Sequence, residues 1–232
     1  CVPLFAMMTG LLLLPTCEAP SKFYAKRISR VAIPAVLWSA IYCLVPWIVG
    51  LCGGGAEIIQ IFFPFEYAPS TELTAALKNI ALIPFTFGGY TTHIWYIYML
   101  VGLYFVIPFV SKWLDDRTLT RTAVVLWALS LAVPYVEWIV GGQVLGACAW
   151  NAFGMFHYFG GFVGYMIVGK LLAERPTEGP AWKTILLGVA MFVAGFIVTQ
   201  SGQSAMAAKY DYAENPAMLE LFWQYCSPNV AL

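Results

Sequence analysis

Long apolar stretches broken by short clusters of charge set the pattern of this chain. Residues 31–52 are 22 consecutive uncharged positions. At about 1.5 Å per residue, a helix of that length crosses a hydrocarbon core of roughly 30 Å. Residues 94–111 supply 18 more, dense in aromatics: Trp95, Tyr96, Tyr98, Tyr104, Phe105 and Phe109. Residues 122–140 are interrupted only by Glu137, and residues 184–200 carry no charge. Each reads as a crossing helix. After Glu137 the chain stays uncharged, His157 apart, as far as Lys170. That run is too long for one helix and fits a loop over 141–151 followed by a span over 153–169. Residues 1–17 are also uncharged, yet they begin without Met and without the basic flank of a signal peptide, so they read as a helix joined after its start. The pattern predicts an all-α, polytopic membrane protein with about six spans.

Charge tests this list, because successive crossings must alternate sides. Lys22, Lys26, Arg27 and Arg30 fall in one loop, Lys112, Arg117 and Arg121 in a second, and Lys170, Arg175 and Lys183 in a third. All three loops lie on the same side, leaving only Lys78 and Lys209 for the other, a split of 10 to 2 among the 12 Lys and Arg residues. The positive-inside rule then makes loops 16–30, 112–121 and 170–183 cytoplasmic. The external segment 53–92 is long and aromatic. Within it Ser70 is expected to cap a helix with Glu72 in its first turn, and Leu73, Leu77 and Ile80 fall on one face. An amphipathic helix over about 70–83, lying on the outer surface or over the mouth of the bundle, is expected; a helix packed on its own loop is the alternative.

Composition reinforces the membrane reading. Of 232 residues, 61% are hydrophobic and only 10% charged, with a mean hydropathy of +0.76. A globule of this size lacks the interior to hide so much apolar surface. Net charge is zero, and no basic stripe interleaved with aromatics suggests nucleic acid. The six cysteines are dispersed without metal-ligand spacing, so no metal site is expected; a bridge between two of Cys52, Cys148 and Cys226, all placed on the outer side, is an open possibility. Pro34, Pro46, Pro108 and Pro134 lie inside spans, where proline can bend a helix.

Few residues carry candidate chemistry. If the second helix begins near Phe23, Arg27 and Arg30 stand at i, i+3 on one face and form either a phosphate clamp, with Lys26 beside them, or a pair of topology anchors snorkelling to headgroups. His93, followed by Trp95 and Tyr96, stands at the outer end of one span, and His157 near the outer end of another. Each is a general base or sugar ligand, or a residue of an interfacial aromatic belt. Glu137 sits about a turn inside its span, where facing lipid would cost up to ~3 kcal/mol. It is therefore a candidate for the interior, or a snorkelling carboxylate. Gly160 and Gly164, and likewise Gly50 and Gly54, have the spacing of close helix packing. Phe62, Phe63, Phe65, Tyr67 and Tyr90 suit either stacking on sugar rings or an interfacial belt.

Several of these pieces together resemble a known family. Val2-Pro3-Leu4-Phe5, Thr9-Gly10 before a leucine run, and a Lys/Phe/Tyr/Arg loop with Arg27-x-x-Arg30 resemble the second span and following loop of the acyltransferase family 3 integral membrane proteins. His93-Ile94-Trp95-Tyr96-Ile97-Tyr98 with Gly102-Leu103-Tyr104 and Ile107-Pro108 is similar to the family's His-x-Trp-aromatic helix, and residues 222–229 resemble the start of a later helix. The resemblance covers nearly the whole chain. It implies a single transmembrane acyltransferase-like domain over 1–232, a partial one, within a bundle of about ten spans.

The resemblance further implies transfer of an acyl group, commonly acetyl, from cytoplasmic acyl-coenzyme A to a hydroxyl of a surface glycan or lipid-linked sugar, in a bacterial inner membrane. Arg27 and Arg30, with Lys26, match the family's Arg-x-x-Arg and would hold coenzyme A phosphates. His93, Trp95, Tyr96, Glu137 and His157 are the candidates for the substrate cavity. The family's catalytic histidine lies on a first span that would precede Cys1; neither His93 nor His157 matches it, and this chain alone is expected to be inactive. Thr9 stands where relatives often have serine. A transporter or flippase of a glycan or lipid intermediate is the alternative, and such proteins commonly show paired repeats, of which the halves of this chain show none.

Overall fold

The computed structural model describes residues 2–64, 66, 69–86, 88–148, 151–174, 179–210 and 220–222. Among the described residues the regular structure is helical: α1 (Val2–Leu13), α2 (Pro20–Leu51), α3 (Ala56–Phe62), α4 (Leu73–Leu82), α5 (Trp95–Trp113), α6 (Arg117–Val140), α7 (Phe162–Glu174) and α8 (Ala181–Ala207), with 3₁₀ turns over Gly89–Ile94 and Gly154–Phe159. Among the described residues four helical stretches are long and apolar enough to cross a membrane: Pro20–Leu51, Gly89–Trp113, Arg117–Val140 and Ala181–Ala207. The all-α, polytopic membrane fold is as the hydropathy predicts.

Two expected spans are short. α1 has 12 residues and α7 has 13. The expected helix over 153–169 is broken at Gly160–Gly161, where Gly161 takes φ +84°, a left-handed backbone that glycine adopts without strain. Its first half is the 3₁₀ turn. The basic clusters also sit differently from the expected loops. α2 opens at Pro20 with proline in its first turn, so Lys22, Lys26, Arg27 and Arg30 lie on its first three turns rather than in a loop. Between α5 and α6 only residues 114–116 are non-helical, and Asp116 caps α6 by accepting from the Thr118 and Leu119 N–H groups at 2.8 and 3.1 Å. Helices continue through Pro34, Pro46, Pro108 and Pro134.

The chain divides into two compact units, residues 1–16 with 109–232, and residues 17–108. In the first, α1 and α7 pack with almost no space between backbones: a Cβ on Gly10 would lie 1.8 Å from the Met166 carbonyl oxygen, and one on Gly169 2.3 Å from the Met7 carbonyl oxygen. α6 meets α7 through Trp127, whose ring would be 2.1 Å from a Cβ on Gly164 and whose indole N–H donates to the Gly161 carbonyl at 2.9 Å. Tyr165 stacks edge-on against Trp127 with centroids 4.8 Å apart. Gly164 thus packs closely as its spacing predicts. Gly160, outside any helix, lies against Phe153.

In the second unit, Phe23, Ala35, Ser39, Cys43 and Pro46 form the buried stripe of α2. Ile33, Leu37, Trp38 and Ile41 on its other side are exposed, an apolar surface suited to lipid. Ala32, Ala35 and Ser39 leave a crevice of about 300 Å³ against Ile97 and Val101 of α5. α4 packs against α2 and begins at Leu73. Glu72, not Ser70, is its N-cap residue, and Ser70 Oγ instead accepts from the Glu72 N–H at 3.3 Å. Ala76 is buried, while Leu73 and Leu77 of the expected apolar face are exposed. Gly54 lies beyond the end of α2, so the Gly50/Gly54 pair is not a helix seam; Gly50 accommodates Thr71.

Candidate functional site

The two ends of α2 carry the candidate chemistry of the second unit. At its N-terminal end, Phe23 and Tyr24 pack edge-on against Tyr104 and Phe105 of α5, with centroids 6.3 and 5.4 Å apart, and the Tyr24 hydroxyl donates to the Phe105 carbonyl at 3.0 Å. Tyr104 of this layer lies near enough to Arg27 to feel its charge. Arg27 is half-buried, and its Nε is fully covered and makes no hydrogen bond among the described residues. A covered guanidinium N–H without an acceptor is costly unless something supplies one. Arg30, one turn further along α2, is exposed.

Lys26 is engaged elsewhere. Its Nζ donates to Glu18 Oε1 at 2.9 Å, a link across the loop before α2 that helical spacing does not reveal. That hydrogen bond, with the charges of Lys26, Arg27 and Lys22, holds the Glu18 carboxyl below the usual carboxylate range against the opposing effect of burial. Arg27 and Arg30 therefore stand on α2 without a partner carboxylate among the described residues, while Lys26 is paired with Glu18.

At the other end of α2, about 22 Å along the helix from Arg27, Tyr42 meets the 3₁₀ turn that carries His93. Their rings stand edge-on, centroids 4.9 Å apart. Tyr42 also packs edge-on against Phe63 at 6.2 Å, and Phe63 against Tyr90 at 5.2 Å. These rings, with Phe62, Thr92 and Trp95, line a cavity of about 640 Å³. Backbone order supports it: Thr91 Oγ1 accepts from the Gly88 N–H at 3.2 Å, Thr92 Oγ1 donates to the Gly89 carbonyl at 3.1 Å, and the Ser70 N–H donates to the Tyr90 hydroxyl at 3.3 Å.

His93 and Trp95 thus line one cavity, and Tyr42 and Thr92 are lining residues that the pattern alone does not single out. The available signal was Trp38 and Tyr42 at i, i+4 on α2, rings 6.2 Å apart. Tyr96 is exposed and outside this lining. Glu137 and His157 belong to the first unit and are not brought together there by any contact among the described residues. The Glu137 carbonyl accepts the Gly141 and Gly142 N–H groups that close α6, and its side chain is half-buried. His157 is exposed and stacks edge-on with Tyr158. Phe65 and Tyr67 lie outside the described residues, as do Cys1, Cys226 and residues 223–229. Cys52 and Cys148 carry free thiols. No group of three His, Cys, Asp or Glu side chains that could hold a metal occurs among the described residues.

Residues 1–232, the whole sequence, match the acyltransferase family 3 model, described as an acyltransferase domain. The chain belongs to that family. No curated protein and no solved structure matches it. This acyltransferase domain thus carries its Arg27-x-x-Arg30 at one end of α2 and an aromatic cavity at the other, within one unit of the fold.

Proposed function

We propose that the acyltransferase moves an acyl group, acetyl in the simplest case, from cytoplasmic acyl-coenzyme A to a hydroxyl of a surface glycan or lipid-linked sugar, in a bacterial inner membrane with the Arg27 end of α2 inside. The observation that carries the donor half is Arg27: a covered Nε with no acceptor among the described residues, next to exposed Arg30. Phosphate oxygens supply the acceptors such a guanidinium lacks, and two arginines one turn apart present planar forks to them. Charge asymmetry along the chain supports the sidedness.

In the reaction the acceptor hydroxyl oxygen attacks the thioester carbonyl carbon, the C–S bond breaks, and the coenzyme A thiolate leaves. A base removes the hydroxyl proton, which ends on the thiol. In this reading Arg27 and Arg30 bind and position the donor, and neither His93 nor His157 is assigned as the base.

The test is equilibrium binding of labelled acetyl-coenzyme A to the full-length protein in vesicles, with insertion verified as equal. Each charge-assisted hydrogen bond contributes about 1.5–3 kcal/mol, so Arg27→Ala is expected to weaken binding roughly 10- to 150-fold. Arg27→Lys, which keeps the charge but not the fork, should recover part of it. Binding unchanged in both Arg27→Ala and Arg30→Ala across several acyl donors would overturn the clamp and return these arginines to topology anchors.

A further inference from the structure

We propose that the cavity between Tyr42 and Trp95 is the site for an uncharged pyranose unit of the acceptor, read through its hydroxyls and stacked on the aromatic walls. The inference rests on the acyl-acceptor reading above and gives it a place and a chemical class. Its walls decide the class. Among the described residues no Lys, Arg, Asp or Glu lines the cavity, and the charge that acts on its wall is the anion Glu66, felt by Tyr90, so nothing there compensates a carboxylate or phosphate taken out of water. An anionic sugar or a phosphate-bearing end is disfavoured on that ground.

The lining is nevertheless not that of a lipid-tail pocket. The Tyr42 hydroxyl and both ring nitrogens of His93 make no hydrogen bond among the described residues, and Thr92 Oγ1 uses its proton on Gly89 while its lone pairs remain available. A phenol, an imidazole and a hydroxyl therefore offer both donors and acceptors at the edge of the cavity. Phe62, Phe63 and Trp95 supply flat apolar faces. A ring with two apolar faces and an equatorial belt of hydroxyls satisfies both sets at once, whereas an alkyl chain would leave the polar set unmatched.

Size agrees. A cavity of about 150 Å³ holds benzene, with six heavy atoms. By that scale, a cavity of 640 Å³ has room for one hexose of twice as many heavy atoms and for much of a second. The rings are also held in place before any ligand arrives: Tyr42, Phe63, Tyr90 and His93 lock one another edge to face at 4.9–6.2 Å. Such preorganisation lowers the ordering cost of binding.

The test uses the full-length protein in nanodiscs and saturation-transfer NMR with cellobiose, N,N′-diacetylchitobiose, a glucuronate-containing disaccharide and decanol as probes. Saturable binding of a neutral disaccharide is expected, with the glucuronate analogue at least tenfold weaker and decanol unable to displace it. Thr92→Val and Tyr42→Phe, which keep shape and remove one hydrogen-bonding group each, should weaken it about two- to tenfold. Trp95→Ala should weaken it further, and the two conservative variants keep the result interpretable if Trp95→Ala fails to fold. The proposal is overturned if no neutral sugar binds saturably, if binding is unchanged in both conservative variants, or if decanol competes as well as the disaccharides. Acetyl-coenzyme A binding measured on the same samples separates the readings: intact donor binding with no sugar binding removes only the cavity assignment, while loss of donor binding in the wild type strikes the transferase reading itself.

Discussion

Replacing Gly10 by alanine probes how α1 is held to α7. The new Cβ would stand 1.8 Å from the Met166 carbonyl oxygen and 2.6 Å from its carbon, both backbone atoms that no rotamer change can move. Restoring ordinary contact of about 3.4 Å requires the helices to part by roughly 1.6 Å, and a gap of even 0.5–1 Å forfeits about a quarter to a half of each dispersion contact along the seam. Overpacking of this kind costs about 1–3 kcal/mol, with the upper part of the range expected against backbone. Gly188→Ala in α8 is the matched control, because nothing lies within 4 Å of its Cβ and alanine is the better helix former by about 1 kcal/mol. Alanine gains the same helix propensity at both positions, so the difference between the two variants should be the overpacking cost alone, about 1–3 kcal/mol. Unfolding by sodium dodecyl sulfate in mixed micelles, followed by near-UV circular dichroism, reads it directly. Gly169→Ala, clashing with Met7, should behave like Gly10→Ala, and the double variant should be less than additive because one separation relieves both clashes. A Gly10→Ala protein as stable as Gly188→Ala would refute the close-packed seam.

Three further outcomes follow from single contacts. Asp116→Ala removes the side-chain cap of α6 and should destabilise by about 1 kcal/mol, seen as earlier unfolding in the same titration, while Asp116→Asn should retain most of the stability. Trp127→Phe leaves the Gly161 carbonyl without its indole donor and should cost about 1–3 kcal/mol; faster amide hydrogen exchange at the start of α7 would locate the loss. Glu18, its carboxyl held down chiefly by Lys26, should titrate below the ordinary carboxylate range. Because the folded value is the lower one, the pair's contribution is present above that range and is lost as pH falls through the folded pKa. Carboxyl infrared or ¹³C NMR titration should show Lys26→Met moving Glu18 upward and salt at 1 M, with a Debye length of about 3 Å, narrowing the difference; a Glu18 already at the ordinary value in the wild type would contradict the pairing.

Much of the molecule was legible before its tertiary structure. The positions of α2, α5, α6 and α8 follow from uncharged runs long enough to span a bilayer, because transfer into hydrocarbon is a property of each segment by itself. The basic clusters and Arg27-x-x-Arg30 were equally plain, since charge is excluded from those runs. Their local form was less so: hydropathy marks where the core of a span lies, not where its hydrogen bonds stop, so Lys22 to Arg30 counted as a loop in the charge split, and the alternative helix start near Phe23 fell three residues after the actual one at Pro20. The break in 153–169 had a cue in the Gly160-Gly161 pair, outweighed by an apolar run that a helix and a 3₁₀ turn share.

What only the tertiary structure decided is which faces meet. Lipid tails are as apolar as leucine, so helices in a membrane are not paired by hydrophobicity but by shape and hydrogen bonds between particular residues. That is why the sequence could mark Gly164 as a packing residue but not name Trp127 as its partner, and why Gly10 and Gly169 passed unnoticed. The same holds for the site. His93 and Trp95 stood out by chemistry, whereas Tyr42, more than fifty residues away in the chain, joins them only because α2 and the 3₁₀ turn before α5 converge. The sequence alone determined the solvent this chain requires and the residues able to act; the convergence of helices decided which of those residues share a cavity, because contact depends on two surfaces at once and hydropathy on one.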